Sequence, residues 1–188
     1  MEALLNVFSA FGLSSAAGLN AYLPLLVVAL VARFTNLIQL TEPWDTLASW
    51  WVIGVLVVLL AIEMTVDKIP AADSVNDIVN TVIRPMAGAV LFAANSGVIG
   101  EMHPVVALIA GLLVAGGVHA VKATARPVVT VTTAGTGNWA VSVVEDVVSL
   151  VTSVLAILVP VLVVVLVVVV IVFLGWRVSR RRSRAANG

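Results

Sequence analysis

Five long apolar runs constrain this chain more than any motif in it. They cover residues 12–32, 49–66, 85–99, 104–121 and 139–176. An α-helix rises about 1.5 Å per residue, so about 20 apolar residues cross a hydrocarbon core of about 30 Å. Runs of this kind read as transmembrane helices and leave little chain for a soluble core. Composition agrees, because 61% of the 188 residues are apolar and 11% charged, where soluble domains carry about 25% charged residues. An independent soluble catalytic domain is excluded. Cysteine is absent, which excludes disulfides, thiolate metal sites and thiol redox chemistry.

The run 12–32 reads as one uncleaved helix, since a cleaved leader has a positive start and the early charge here is Glu2. Its front half, 12–22, is rich in small and polar residues. Such a face lets helices approach closely and lets Asn20 and Tyr22 hydrogen-bond across the contact. Pro24 frees a backbone carbonyl one turn earlier, near Asn20, as in broken helices that coordinate ions. The run 49–66 opens on Trp50-Trp51, suited to the headgroup interface, and closes on Glu63 and Asp67, which share a helix face.

Lys68-Ile69-Pro70 is expected to end that helix, and Ser74 with Asp77 fits a capping box that starts a short amphipathic one. Asp73, Asp77, Asn80 and Arg84 recur on one side of it, opposite Val75, Ile78, Val79, Val82 and Ile83. Pro85 then opens the run to Ile99, which is short enough to be re-entrant. The span 104–121 carries Gly111, Gly116 and Gly117 as packing notches, and a polar Gly/Thr-rich connector, 123–138, follows. The last run would be about 57 Å long as one helix. Pro160 is its natural break. Its first half holds a polar stripe of Ser142, Glu145, Ser149, Thr152 and Ser153, and 161–174 is apolar all round.

Five of the ten basic residues lie in 177–184, and the positive-inside rule puts that tail in the cytoplasm. Six crossings also place Lys68, Arg84, Lys122 and Arg126 inside, with Glu42, Asp45 and Glu101 outside and Arg33 the exception. Five crossings export those four basic residues, and four crossings export Lys122 and Arg126. The expected architecture is therefore an all-α, polytopic transmembrane bundle of about six hydrophobic segments, one short or re-entrant, plus a short amphipathic helix. Residues 1–176 form its single domain and 177–188 a basic cytoplasmic tail, with both termini cytoplasmic.

The stretch Gly18-Leu19-Asn20-Ala21-Tyr22-Leu23-Pro24-Leu25-Leu26 resembles the N-terminal signature of domain-of-unknown-function family 4126. So do Asp67-Lys68-Ile69-Pro70-Ala71-Ala72-Asp73-Ser74, the following Ile83-Arg84-Pro85, and Val141-Ser142-Val143-Val144-Glu145-Asp146. The resemblance implies a small bacterial integral membrane protein of the plasma (inner) membrane and implies no particular activity.

Ionisable groups inside a bilayer are costly, by about 2.5 kcal/mol or more each, so those that occur need a reason. Glu63, Asp67, Asp73, Asp77, Glu145 and Asp146 all lie in or beside apolar runs. With Asn20 and Tyr22 they suggest a pathway for a cation, proton-coupled solute or lipid-like molecule, with Lys68 and Arg84 as counter-charges. The plain alternative is interfacial solvation, structural pairing and capping. Arg84 or Lys68 is expected to approach Glu63 or Asp67, with Glu145 on the same seam. His103 and His119 lack a partner at metal spacing, and no Walker loop, nucleophile elbow or dinucleotide fingerprint is present. An enzyme is not expected, nor a cofactor, nor nucleic-acid binding by a tail that abuts the bilayer. The expected function is a small transporter or channel-like protein, or else a non-catalytic membrane subunit that stabilises a partner complex. A homo-oligomer or a membrane-protein partner fits either.

Overall fold

The computed structural model describes residues 2–66, 70–95, 100, 102–133, 137–160, 165, 168–170 and 173; the side chains of Glu2 and of 70–77 are outside that description. The elements are α1 (Glu2–Leu19), α2 (Tyr22–Phe34), a 3-10 turn (Trp44–Ala48), α3 (Trp50–Val66), α4 (Pro70–Ala94), α5 (Pro104–Thr133) and α6 (Gly137–Leu158). No strand occurs among the described residues, so the fold is an all-helical bundle.

Successive helices run in opposite directions between two ends of the bundle. At one end lie Leu5 and Ser9 of α1, Leu37 beyond α2, Asn95 beyond α4 and Leu158 of α6, all around one cavity. Trp50 joins this end by meeting Phe34 of α2 edge to face. At the other end lie Leu19, Glu63, Arg84, Lys122 and Glu145, linked by ion pairs and hydrogen bonds. Helix α1 is central, packed against α4, α5 and α6, while α4 and α5 form the most extensive single pairing.

Small residues set those close contacts. Ser14 of α1 donates to the Gly88 carbonyl of α4 at 2.8 Å. A Cβ on Gly111 would meet the Gly88 carbonyl, and would lie 2.6 Å from the Phe92 Cβ and 2.8 Å from the Ala89 Cα. Backbone meets backbone here, as in membrane helices that lack a hydrophobic drive to associate.

The outer surface reverses the soluble pattern. Trp51 is 87% exposed and Val131 83%, whereas Glu63 is 2% and Arg84 0% exposed. Soluble monomers rarely expose apolar patches beyond a few hundred Å². Helices α5 and α6 are also long and apolar enough to cross a membrane. The apolar exterior belongs in lipid, and the polar interior to protein.

Three expectations are corrected. The run 12–32 is not one helix. Asn20 Oδ1 accepts the Tyr22 and Leu23 amides at 3.1 and 3.0 Å, which caps α2. Pro24 then falls in the first turn, where a missing N–H breaks little. The chain reverses here, so the start of α1 lies at the end opposite to that of Lys122 and Arg126; the two-cytoplasmic-termini arrangement had them together.

Second, neither Ser74 nor Pro85 starts a helix. Helix α4 begins at Pro70, whose fixed φ suits a first helical position, and runs through Pro85 to Ala94. Pro85 removes one bond to the Thr81 carbonyl, and packing against α1 and α5 along its length holds the helix together. Residues 96–99 of the supposed re-entrant run lie outside the described residues.

Third, α5 does not stop at Val121. It continues through Pro127 to Thr133 because Lys122 and Arg126 face inward to partners on α6. The threonines of the supposed connector fold their hydroxyls onto their own helix, Thr130 onto the Arg126 carbonyl at 3.0 Å for example. The break before Pro160 is found where the sequence placed it, with α6 ending at Leu158. The apolar stretch 161–174 is described at only a few positions, and the tail 177–188 lies outside the described residues.

Gly111→Ala should lower the melting temperature in detergent by several degrees, overpacking of this kind costing about 1–3 kcal/mol. Gly117→Ala, with no atom within 4 Å of the added Cβ, should leave it unchanged or raised.

Candidate functional site

Glu63 lies in the last turn of α3, which aims its carboxylate inward against α4. Asn80 and Arg84, one turn apart on α4, both donate to Glu63 Oε1, at 3.2 and 2.9 Å. Arg84 Nη1 also contacts His119 Nδ1 of α5 at 3.4 Å, and His119 Nε2 lies 3.2 Å from the Thr81 hydroxyl. A guanidinium only donates, so Nδ1 is the acceptor and the imidazole proton sits on Nε2, directed at Thr81. Tyr22, at the start of α2, is near enough to feel the charges of both Glu63 and Arg84.

A second node adjoins the first along α5. His119, Lys122 and Arg126 stand three and four residues apart and therefore on one face. Lys122 Nζ pairs with Glu145 Oε2 of α6 at 2.8 Å, and Arg126 Nη2 lies 3.5 Å from the same oxygen. Arg126 also donates to the Ser142 hydroxyl at 2.8 Å. Lys122 further donates to the Leu19 carbonyl at 3.2 Å, where α1 presents unpaired carbonyls and the negative end of its dipole. Asn20 Nδ2 donates to Asp146 Oδ1 at 2.9 Å. Ser149 of α6 donates to the Ala16 carbonyl at 3.0 Å.

Three acids, Glu63, Glu145 and Asp146, thus meet three bases, Arg84, Lys122 and Arg126, around the break between α1 and α2. Among the described residues these charges balance. An ion lacking its partner in such an interior costs far more than the pair, so the balance is a condition for the fold.

The sequence expectation that Arg84 meets Glu63 is found in the structure. Glu145 does not touch that pair; it sits with Lys122 and Arg126, and the link to Arg84 runs through His119. Asp67 and Lys68 lie outside the described residues. Asp73 and Asp77 are on α4, and their side chains are outside the description. Asn20 bonds across a helix contact as anticipated, and Tyr22 is half-buried beside it.

His119, Lys122, Arg126 and Asn80 belong to the network although the sequence reading gave them no site role. Their signal was the spacing of 119, 122 and 126 on one helix face, which was hidden once 123–138 was read as a loop. His103 is exposed, its ring accepting the Val105 amide. Among the described residues no group of three His, Asp or Glu is placed to hold a metal.

Fold and site together define an α-helical membrane protein whose described interior charges meet one another. The family model for "Domain of unknown function (DUF4126)" matches residues 7–181, and the chain belongs to that family. No curated protein and no solved structure matches it.

Arg84→Ala strands Glu63 in the interior and should cost about 3–5 kcal/mol, read as a marked fall in melting temperature in detergent. Adding Glu63→Gln should recover part of the loss. Strictly additive losses would show that the two groups do not couple.

Proposed function

We propose that this protein is a polytopic transporter of the bacterial plasma membrane that couples movement of a cation or small polar solute to protonation of the buried carboxylates. The observation that supports the reading best is the balanced cluster itself, assembled around a helix break. With the described acids and bases meeting one another, a cation or an anion entering the cluster must displace an internal partner. A proton is the least demanding way to do so. Protonating Glu63 removes the charge that holds Arg84, and freed Arg84 repels Lys122 through the same α5 face. Loss of the Lys122–Leu19 contact would loosen the junction of α1 and α2, a bistable element of the kind that alternating access uses. Glu63 and Glu145 are the proton acceptors in this scheme, Arg84 and Lys122 the charges that move, and Asn20 the joint.

In the same reading the charged end faces the cytoplasm, which follows the positive-inside preference, and the start of α1 faces outward. The absence of native cysteine makes this directly testable. A cysteine at Leu4 should be labelled by an impermeant maleimide from outside, and one at Ala186 only after the cells are opened.

The pairing of the described charges also favours a second reading, a non-catalytic subunit whose charges only hold the helices in place. Purified protein in proteoliposomes with a pH-sensitive dye separates the two. Under the transport reading an imposed gradient of a transported cation drives proton flux, and both Glu63→Gln and Glu145→Gln abolish it when flux is normalised to the folded protein reconstituted. Flux that survives both substitutions removes these carboxylates from the mechanism. Absence of flux for any cation or solute tried, with a stoichiometric partner recovered by cross-linking, supports the subunit.

A further inference from the structure

The end of the bundle away from the charges holds a cavity of about 290 Å³. It is walled by the start of α1, the segment after α2, the residue after α4 and the end of α6, so it lies where helix ends meet. Its polar lining is Asn6, Ser9, Gln39 and Asn95. Among the described residues none of these four side chains hydrogen-bonds to protein, and Ser9 is 91% buried. The contrast with the other end is direct: Asn20, Asn80 and Asn138 there are each hydrogen-bonded. Ser9 is buried, Asn6 and Asn95 are half-buried and Gln39 is exposed at the rim. A buried hydroxyl ordinarily finds a partner, so Ser9 left open beside Asn6 and Asn95 on one cavity points to a partner that comes from outside the chain.

The lining also identifies the chemistry of that partner. Among the described residues no ionisable side chain borders the cavity, and an ionic head would lose its water there without gaining a counter-charge. Asn and Gln each offer a donor and an acceptor, as does the serine hydroxyl. That matches a neutral head carrying several hydroxyls or an ester, which both gives and takes hydrogen bonds. Leu37, Ile38, Ile157 and Leu158 form the apolar remainder, suited to a short stretch of hydrocarbon. The volume lies near the lower limit for small-molecule sites, about 300 Å³, which suits a head with one short chain.

We infer that this cavity binds a small uncharged amphiphile with a hydroxylated head, of the monoacylglycerol class, by hydrogen bonds to Asn6, Ser9, Gln39 and Asn95. The inference is independent of the transport reading, since no residue of the charge network lines the cavity. Protein that moves no solute can still bind here.

The test uses the full chain in phosphatidylcholine nanodiscs, which avoids sugar-headed detergents. The probe is a monoacylglycerol carrying a diazirine at the start of a short acyl chain; the matched fatty acid carries the same tail and a carboxylate, at pH 8. Cross-linked peptides are located by mass spectrometry. The expected result is labelling within 5–9, 37–39 or 157–160, at least fivefold above the fatty acid, and suppressed by excess unlabelled 1-octanoylglycerol. Asn6→Leu and Asn95→Leu should each reduce it at least fivefold, and Glu63→Gln should not. Equal labelling by both probes, or labelling that excess 1-octanoylglycerol does not suppress, would overturn the inference as simple lipid partitioning. That comparison needs only the wild-type protein, so it decides the matter even where a leucine variant fails to fold. Gln39→Ala, in the segment after α2, supplies a milder variant.

Discussion

Lys122 is the contact on which the rest of the arrangement depends. Its ammonium pairs with Glu145 of α6 and donates to the Leu19 carbonyl that ends α1. One side chain thereby neutralises an acid in an apolar interior and satisfies a helix end that would otherwise lie bare. Both tasks are expensive to leave undone where water is excluded. They require α5 to continue past Val121, because only a helix carries Lys122 and Arg126 inward on one face. They also require the chain to stop at Leu19, because an uninterrupted helix would offer no free carbonyl at that point.

The break between α1 and α2 follows from this and is held from both sides. Lys122 takes the C-terminal end of α1, the Asn20 side-chain oxygen takes the N-terminal end of α2, and the Asn20 amide nitrogen reaches Asp146. Four helices, α1, α2, α5 and α6, therefore share one joint. The Glu63–Arg84 pair lies beside it, connected by His119, and a change of charge in either node is felt by the other. The two ends of the bundle are chemically distinct as a result. One end is ionic, its described acids and bases meeting one another; the cavity at the other is lined by uncharged polar and apolar side chains among the described residues.

Much of the fold was legible because hydrophobic length and proline position are local properties. Runs long enough to cross a bilayer, the stop before Pro160 and the inward face of α6 through Ser142, Glu145 and Ser149 could all be read residue by residue. The pairing of Arg84 with Glu63 was legible too, since a carboxylate in an apolar run needs a cation nearby and Pro70 follows closely. The errors share one cause. Asn20, Pro85 and the 123–133 stretch were judged by their local preferences, and neighbours distant in sequence decided each one. Pro85 would end a solitary helix, yet α4 continues because α1 and α5 grip it on both sides of the proline.

By itself the sequence determined that the chain would be helical, that its surface would be apolar, and that its interior charges would have to meet. Those outcomes depend on hydrophobic length and on the cost of an unpaired ion, which every residue carries with it. Only the tertiary structure decided which charges meet and where the first segment breaks. The contacts responsible join residues 103 and 126 positions apart, Lys122 to Leu19 and Asn20 to Asp146. A break in a helix exposes backbone groups whose cost depends on what lies opposite, and no window of sequence around residue 20 contains Lys122 or Asp146.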